Sequence, residues 1–169
     1  MDTFFGKYRG RAEDNLDPQG LGRLEVSCPD VWGEGRAWAM PCLPYANPGL
    51  GFLMLPPVRA NVWLEFERGD PDYPVWTGCF WTTAIPPELG RDEVVISTPD
   101  GSTVKLDRAG ITVTSSGALR VAASTVDLSA ATITLEAGMV KASGVLQCET
   151  LIANSVVAAS YTPGAGNIW

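Results

Sequence analysis

A chain of 169 residues with 12 basic and 19 acidic side chains has a net charge of −7, the wrong sign for gripping phosphate backbones, which disfavours nucleic acid as a partner. It contains no histidine, which removes Ser-His and Cys-His nucleophilic pairs, the common zinc sites and the usual general base near neutral pH. No apolar run approaches the roughly 20 residues that span a bilayer, and "MDTFFGKYRGRAED" lacks the apolar core of a signal peptide, so a soluble product made in the cytoplasm is expected.

In chain order, a strand is expected at "GKYRGRA" (6–12), then at "GRLEVSCP" (22–29), "GRAWAMPC" (35–42), "NVWLEFE" (61–67) and "PVWTGCFW" (74–81). Each run alternates or clusters β-branched and aromatic residues between Gly and Pro punctuation, while no window holds a 3.6-residue period with caps at both ends. About five short strands with turns between them suit a small closed barrel such as the OB-fold. Residues 1–83 are the first domain, and "TAIPPELGRDE" has the chemistry of a linker, placed at 84–93. Cys28, Cys42, Cys79 and Cys148 have no metal-type spacing and are expected as buried or half-buried thiols rather than disulfides or ligands.

From 94 to 160 the composition changes to Val, Leu, Ile, Ala, Ser, Thr and Gly, and a repeat emerges. Apolar pairs separated by one residue recur as Val104/Leu106, Ile111/Val113, Leu119/Val121, Val126/Leu128 and Ile133/Leu135, at steps of 7, 8, 7 and 7, with a looser continuation at Val140, Leu146/Cys148 and Ile152. Gly110, Gly117, Ser124, Ala131 and Gly138 fall between the pairs, where a corner is needed. Seven extended residues span only about 23 Å, one edge and its corner, too little for a whole turn of a single-chain solenoid. Three chains contributing one edge per layer would close a triangular prism, with these ten residues meeting on the trimer axis and no long free strand edge. Stacked hairpins in a monomer, or a disordered Ala/Ser/Thr tail, are the competing readings; the regular spacing and low charge speak against disorder. The expected fold is therefore all-β, an OB barrel followed by an intertwined triple-stranded β-helix in a homotrimer. The last residues, "SYTPGAGNIW", break the repeat, so 161–169 is read as a tip in which Tyr161, Pro163, Ile168 and Trp169 cap the prism or meet a partner.

The chemically suggestive stretch is "EFERGDPDYPVWTGCFW" (65–81). On a strand Glu65 and Glu67 share a face with Trp63, while Leu64 and Phe66 point the other way. Two same-face carboxylates could act as an acid/base pair. With no histidine, no second carboxylate cluster and a plain hairpin sequence between Gly69 and Pro74, the stretch reads as a turn and the chain as no enzyme. Asp70 and Asp72 lack the glycine and distal Glu of a calcium loop, so no metal or cofactor is expected. Trp32, Trp38, Trp63, Trp76 and Trp81 could stack bases, but the acidic balance favours core and interface packing.

These residues carry a resemblance. Gly6 to Gly10, Asp17-Pro18, Gly22-Arg23-Leu24, Trp38-Ala39-x-Pro41, Val62-Trp63 through Glu67, Gly69-Asp70-Pro71, Pro74-Val75-Trp76 and Gly78 fall in an order that resembles the OB domain of phage baseplate assembly protein V and of the valine-glycine repeat proteins of contractile injection systems. The resemblance implies a non-enzymatic homotrimeric spike of a phage tail or injection particle. Its OB domains would sit under a baseplate hub protein and its β-helix would pierce the target cell envelope; a separate tip protein of the PAAR type is a further candidate partner. Arg59-Ala60 stands where such relatives usually carry a glycine-led turn, and no lysozyme domain intervenes. A receptor- or glycan-binding tail module is the alternative.

Overall fold

Strict alternation of buried and outward residues along short strands builds the first domain, seen in a computed structural model that describes residues 2–83, 85 and 92–159. Strands β1 (Tyr8–Asp14), β2 (Leu24–Ser27) and β3 (Arg36–Pro41) pair antiparallel in sequence. A small hairpin, β4 (Ala46–Asn47) and β5 (Leu50–Gly51), interrupts the return, and β6 (Asn61–Phe66) and β7 (Pro74–Cys79) complete the set. β6 pairs with both β1 and β7, and β7 runs parallel to β3, which closes a five-stranded barrel in the order β1-β2-β3-β7-β6. A short helix, α1 (Pro29–Trp32), joins β2 to β3. All five expected strands are present, with ends displaced by at most two residues.

The barrel is filled by Ala12, Leu24, Val26, Cys28, Ala39, Val62, Leu64 and Trp76. Along β6 the inward residues are Val62, Leu64 and Phe66, alternating with the half-buried Asn61, Trp63 and Glu65, as the period-two pattern requires. The tightest point is Gly10, where a Cβ would stand 2.5 Å from Leu64 Cδ1 and 2.9 Å from the Ser27 carbonyl oxygen. Phe4, Tyr8, Trp32 and Phe66 form a linked aromatic cluster, with ring centroids 5.4–6.0 Å apart.

The connection from β1 to β2 is organised by one carboxylate. Asp17 accepts hydrogen bonds from the backbone amides of Gln19, Leu21 and Arg23 and from the Arg23 guanidinium, Nη2 at 2.7 Å. Its side chain is only 5% exposed, and Arg23 in turn lies 5.2 Å over the Trp38 ring. The sequence "DPQGLGRL" thus makes a carboxylate-centred loop, not a phosphate loop.

Several expectations are corrected. Glu67 is not on the strand: β6 ends at Phe66, and Glu67–Gly69 is a 3-10 turn in which Arg68 and Gly69 both take positive φ. Only Cys28 is buried, whereas Cys42, Cys79 and Cys148 are exposed. The seven-residue step from 104 to 111 is a hairpin rather than a prism corner. β8 (Val94–Ser97), β9 (Thr103–Asp107) and β10 (Gly110–Thr114) form an antiparallel meander, with Ile111 facing Leu106 and Val113 facing Val104. Asp107 makes that turn by accepting from the amides of Ala109 and Gly110, and Gly110 takes φ +139.

The chain divides into two units, residues 1–119 and 120–169. Most of the expected 84–93 linker and the whole 161–169 tip, with Tyr161, Pro163, Ile168 and Trp169, lie outside the described residues.

Two outcomes follow from the barrel. Gly10→Ala is expected to lose about 1–3 kcal/mol in denaturant unfolding, because strand pairing on both sides blocks the backbone from giving way. Asp17→Asn is expected to lower stability at neutral pH. The Arg23 contact and the backbone amides hold the Asp17 carboxyl well below its ordinary value of 3.8. Its contribution is therefore complete above about pH 4 and fades as pH falls below that, so wild type and variant converge in acid unfolding curves.

Candidate interaction surfaces

Glu65 leaves β6 on the outer side of the barrel and is paired with Lys7, whose ammonium also donates to Thr77 Oγ1 at 3.1 Å. Both partners of the ion pair are about half exposed, so the carboxylate is solvated and its charge is matched by a lysine. Asp70 Oδ1 accepts the Asp72 amide at 3.0 Å, and backbone bonds from Asp70 to Glu67 and from Tyr73 to Asp70 complete the turn. The acidic stretch is hairpin scaffolding. Among the described residues no group of three or more Cys, Asp or Glu is placed to hold a metal ion, and no helix is long and apolar enough to cross a membrane.

What the molecule does offer is uncovered apolar and cationic surface. The first is on the meander: strand pairing puts Val94, Ile96, Val104, Leu106, Ile111 and Val113 on one face, with Val95, Thr103, Lys105, Thr112 and Thr114 on the other, mostly polar one. Ile111 is 72% exposed, far from what an apolar face buried in its own chain would show. On the polar side of that meander Lys105 pairs with Glu93 and Asp107, and at its far turn Asp100 accepts hydrogen bonds from Thr98, Ser102 and Ser116.

The remaining expected axis residues, Leu119, Val121, Val126, Leu128, Ile133 and Leu135, are likewise all exposed; Leu128 is at 72%. Residues 115–159 contain no assigned strand. The second surface is the loop carrying β4 and β5. No charge occurs from 37 to 58, and Tyr45, Leu50, Phe52, Leu53 and Met54 are exposed.

The third surface went unnoticed in the sequence. Arg9 and Arg11 point outward from β1, opposite Trp63 and Asn61 of β6. The Arg9 guanidinium lies 5.6 Å from the Trp63 ring and 5.1 Å from the Phe80 ring, and those two rings stack at 4.5 Å. The signal was the alternation in "KYRGR", where a period of two sends Lys7, Arg9 and Arg11 to one side. Of the tryptophans, Trp76 is core, donating its indole N–H to the Gly22 carbonyl oxygen at 3.3 Å; Trp32, Trp38 and Trp63 are half-buried, and Trp81 is exposed.

Strand order and the parallel β3–β7 pair that closes the barrel together define a small OB-type barrel. Residues 8–81 match the family model described as the Type VI secretion system/phage-baseplate injector OB domain. That match begins with β1 and ends two residues after β7, so it covers the whole barrel and supports a structural role in a phage or type VI baseplate. No curated protein matches the chain closely enough to count as a relative.

Glu65→Gln is expected to lower stability by less than about 1 kcal/mol, as for an exposed ion pair. Neither it nor the parent chain should turn over peptidoglycan in a dye-release assay; turnover by the parent that the substitution abolished would restore the acid/base reading.

Proposed function

We propose that this protein is a non-enzymatic, homotrimeric central spike of a phage tail or phage-like contractile injection system. Its barrel attaches it to a baseplate hub, and residues 94–160 form the part that pierces the target envelope. It is made in the cytoplasm and becomes a component of the virion tail or injection particle. The observation that carries this reading is the apolar stripe that one chain leaves uncovered, directly following a barrel that matches the injector OB domain.

The physical argument is one of supply. From Val94 to Val157 the chain places Val, Leu and Ile at steps that are regular as far as Leu135 and looser beyond, yet leaves nearly all of them in water, at about 25 cal/mol per Å² of apolar surface that burial would recover. Two further copies supply the missing neighbours with the same spacing, and each backbone edge gains a strand to pair with. The 94–114 meander is then the first layer, its apolar face turned to the axis. The tip residues would be capped by one another or by a PAAR-type protein.

Mass measurement in solution tests this, with three times the 18.0 kDa chain mass expected at micromolar concentration and a stable monomer overturning it. Leu128→Asp would put three carboxylates into a dry axis and is expected to abolish the trimer while the barrel remains folded by near-UV circular dichroism. An intact Leu128→Asp trimer would move Leu128 off the axis.

A further inference from the structure

The arginines of the barrel are unevenly satisfied. Of its seven basic residues, Lys7, Arg23 and Arg36 each have a carboxylate partner, whereas Arg9, Arg11, Arg59 and Arg68 have no ion pair among the described residues; Arg68 belongs to the turn after β6, and the other three are set apart from it. These three lie together on the β1–β6 side. Arg9 faces Trp63, Arg11 faces Asn61, and Arg59 stands two residues before Asn61 with its amide bonded to the Ala12 carbonyl oxygen at 2.8 Å. In a chain of net charge −7, with acidic residues to spare, a partnerless group of three cations on one side is a local reversal of sign.

Beside them is an open apolar cleft of about 290 Å³ lined by Pro57, Ala60, Asn61, Cys79, Phe80 and Trp81, with the Trp81 ring 60% exposed. Phe80 belongs to both features, stacking on Trp63 under Arg9 and forming a wall of the cleft. Arg59 supplies an independent observation: its φ is +75°, a left-handed conformation that glycine adopts freely and that costs a side-chain-bearing residue about 1 kcal/mol or more. Arg68 also takes a positive φ, inside the 3-10 turn after β6; Arg59 differs in standing at the β1–β6 side, where its charge adds to that of Arg9 and Arg11.

We propose that this face docks an acidic segment of a second protein, with carboxylates on Arg9, Arg11 and Arg59 and an apolar side chain in the cleft against Phe80 and Trp81. The Arg9 guanidinium, lying over the Trp63 and Phe80 rings, is held in place before a carboxylate arrives, which favours forked hydrogen bonding to it. An aromatic-walled cleft with an arginine over one of its walls has the make-up of an interface hot spot. In an injector the partner is the hub, and to that extent the inference rests on the function proposed above; the chemistry of the face itself does not.

The test is binding of the full-length protein to an array of 12-residue peptides in which Asp and Glu flank a central Leu, Phe or Met. Their Asn/Gln isosteres and a 12-nucleotide oligothymidine serve as comparisons, with affinities read from tryptophan fluorescence. Acidic peptides are expected to bind saturably and at least ten-fold more tightly than the isosteres, and to weaken as salt is raised. Arg9→Gln combined with Arg11→Gln should weaken binding at least ten-fold. Arg59→Gly should weaken it several-fold while leaving the melting temperature unchanged or raised, an effect that a merely structural arginine would not show. Equal binding of the isosteres, no saturable binding by any peptide, tighter binding of the oligothymidine, or an Arg59→Gly protein that binds like the parent each overturns the proposal. Loss of the trimer mass in the arginine variants would also overturn it, assigning the face to contacts between copies. A parent protein that keeps its trimer mass but binds no peptide refutes the docking face alone, and a monomer that binds acidic peptides refutes the spike alone.

Discussion

The barrel depends on β1 being paired along both edges at once, to β2 on one side and β6 on the other. At the crossing point Gly10 has room for no side chain: Leu64 fills the space from inside the barrel and the Ser27 backbone closes it from the neighbouring strand. That close approach lets Leu64, Val62 and Leu24 share one interior, and β6 then presents Trp63 and Glu65 outward on the other side of the same strand. Every surface feature of the barrel inherits its position from this register, because a shift of one residue would exchange inside for outside.

Charge in this protein is chiefly used to shape backbone. Asp17 gathers three amides and a guanidinium to set one loop, Asp70 builds the turn after β6, and Asp107 makes the hairpin between β9 and β10. Two of the carboxylates that look catalytic in a linear sequence are thus occupied in the fold, Glu65 by lysine and Asp70 by a backbone amide. The arginines of β1 are the exception: Arg9 stands over the Trp63 and Phe80 rings, and neither it nor Arg11 has an ion pair among the described residues.

The two parts of the chain bury apolar residues by different means. The barrel has enough strands, and enough curvature, to close on itself. The repeat that follows has edges of about seven residues, which cannot wrap around a core alone. Its first two pairs solve part of the problem by folding into a hairpin, which gives them hydrogen-bonded neighbours but still leaves one apolar face bare.

Periodicity by itself determined the five barrel strands, the inward set of β6 and the spacing of the apolar pairs, since alternation and turn residues are local and survive without knowledge of neighbours. The hairpin character of 65–74 was legible for the same reason, from Gly69, Asp70 and Pro74. Only tertiary structure decided that β7 lies parallel to β3, that Glu65 is matched by Lys7 from 58 residues away, and that Arg9, Trp63 and Phe80 form one stack. It also decided that the step from 104 to 111 is a hairpin, because a seven-residue interval fits a corner and a tight turn equally well until the partner of each strand is known. Spacing along a chain sets which side a residue takes; what it meets there is set by pairing between distant segments, which no local pattern encodes.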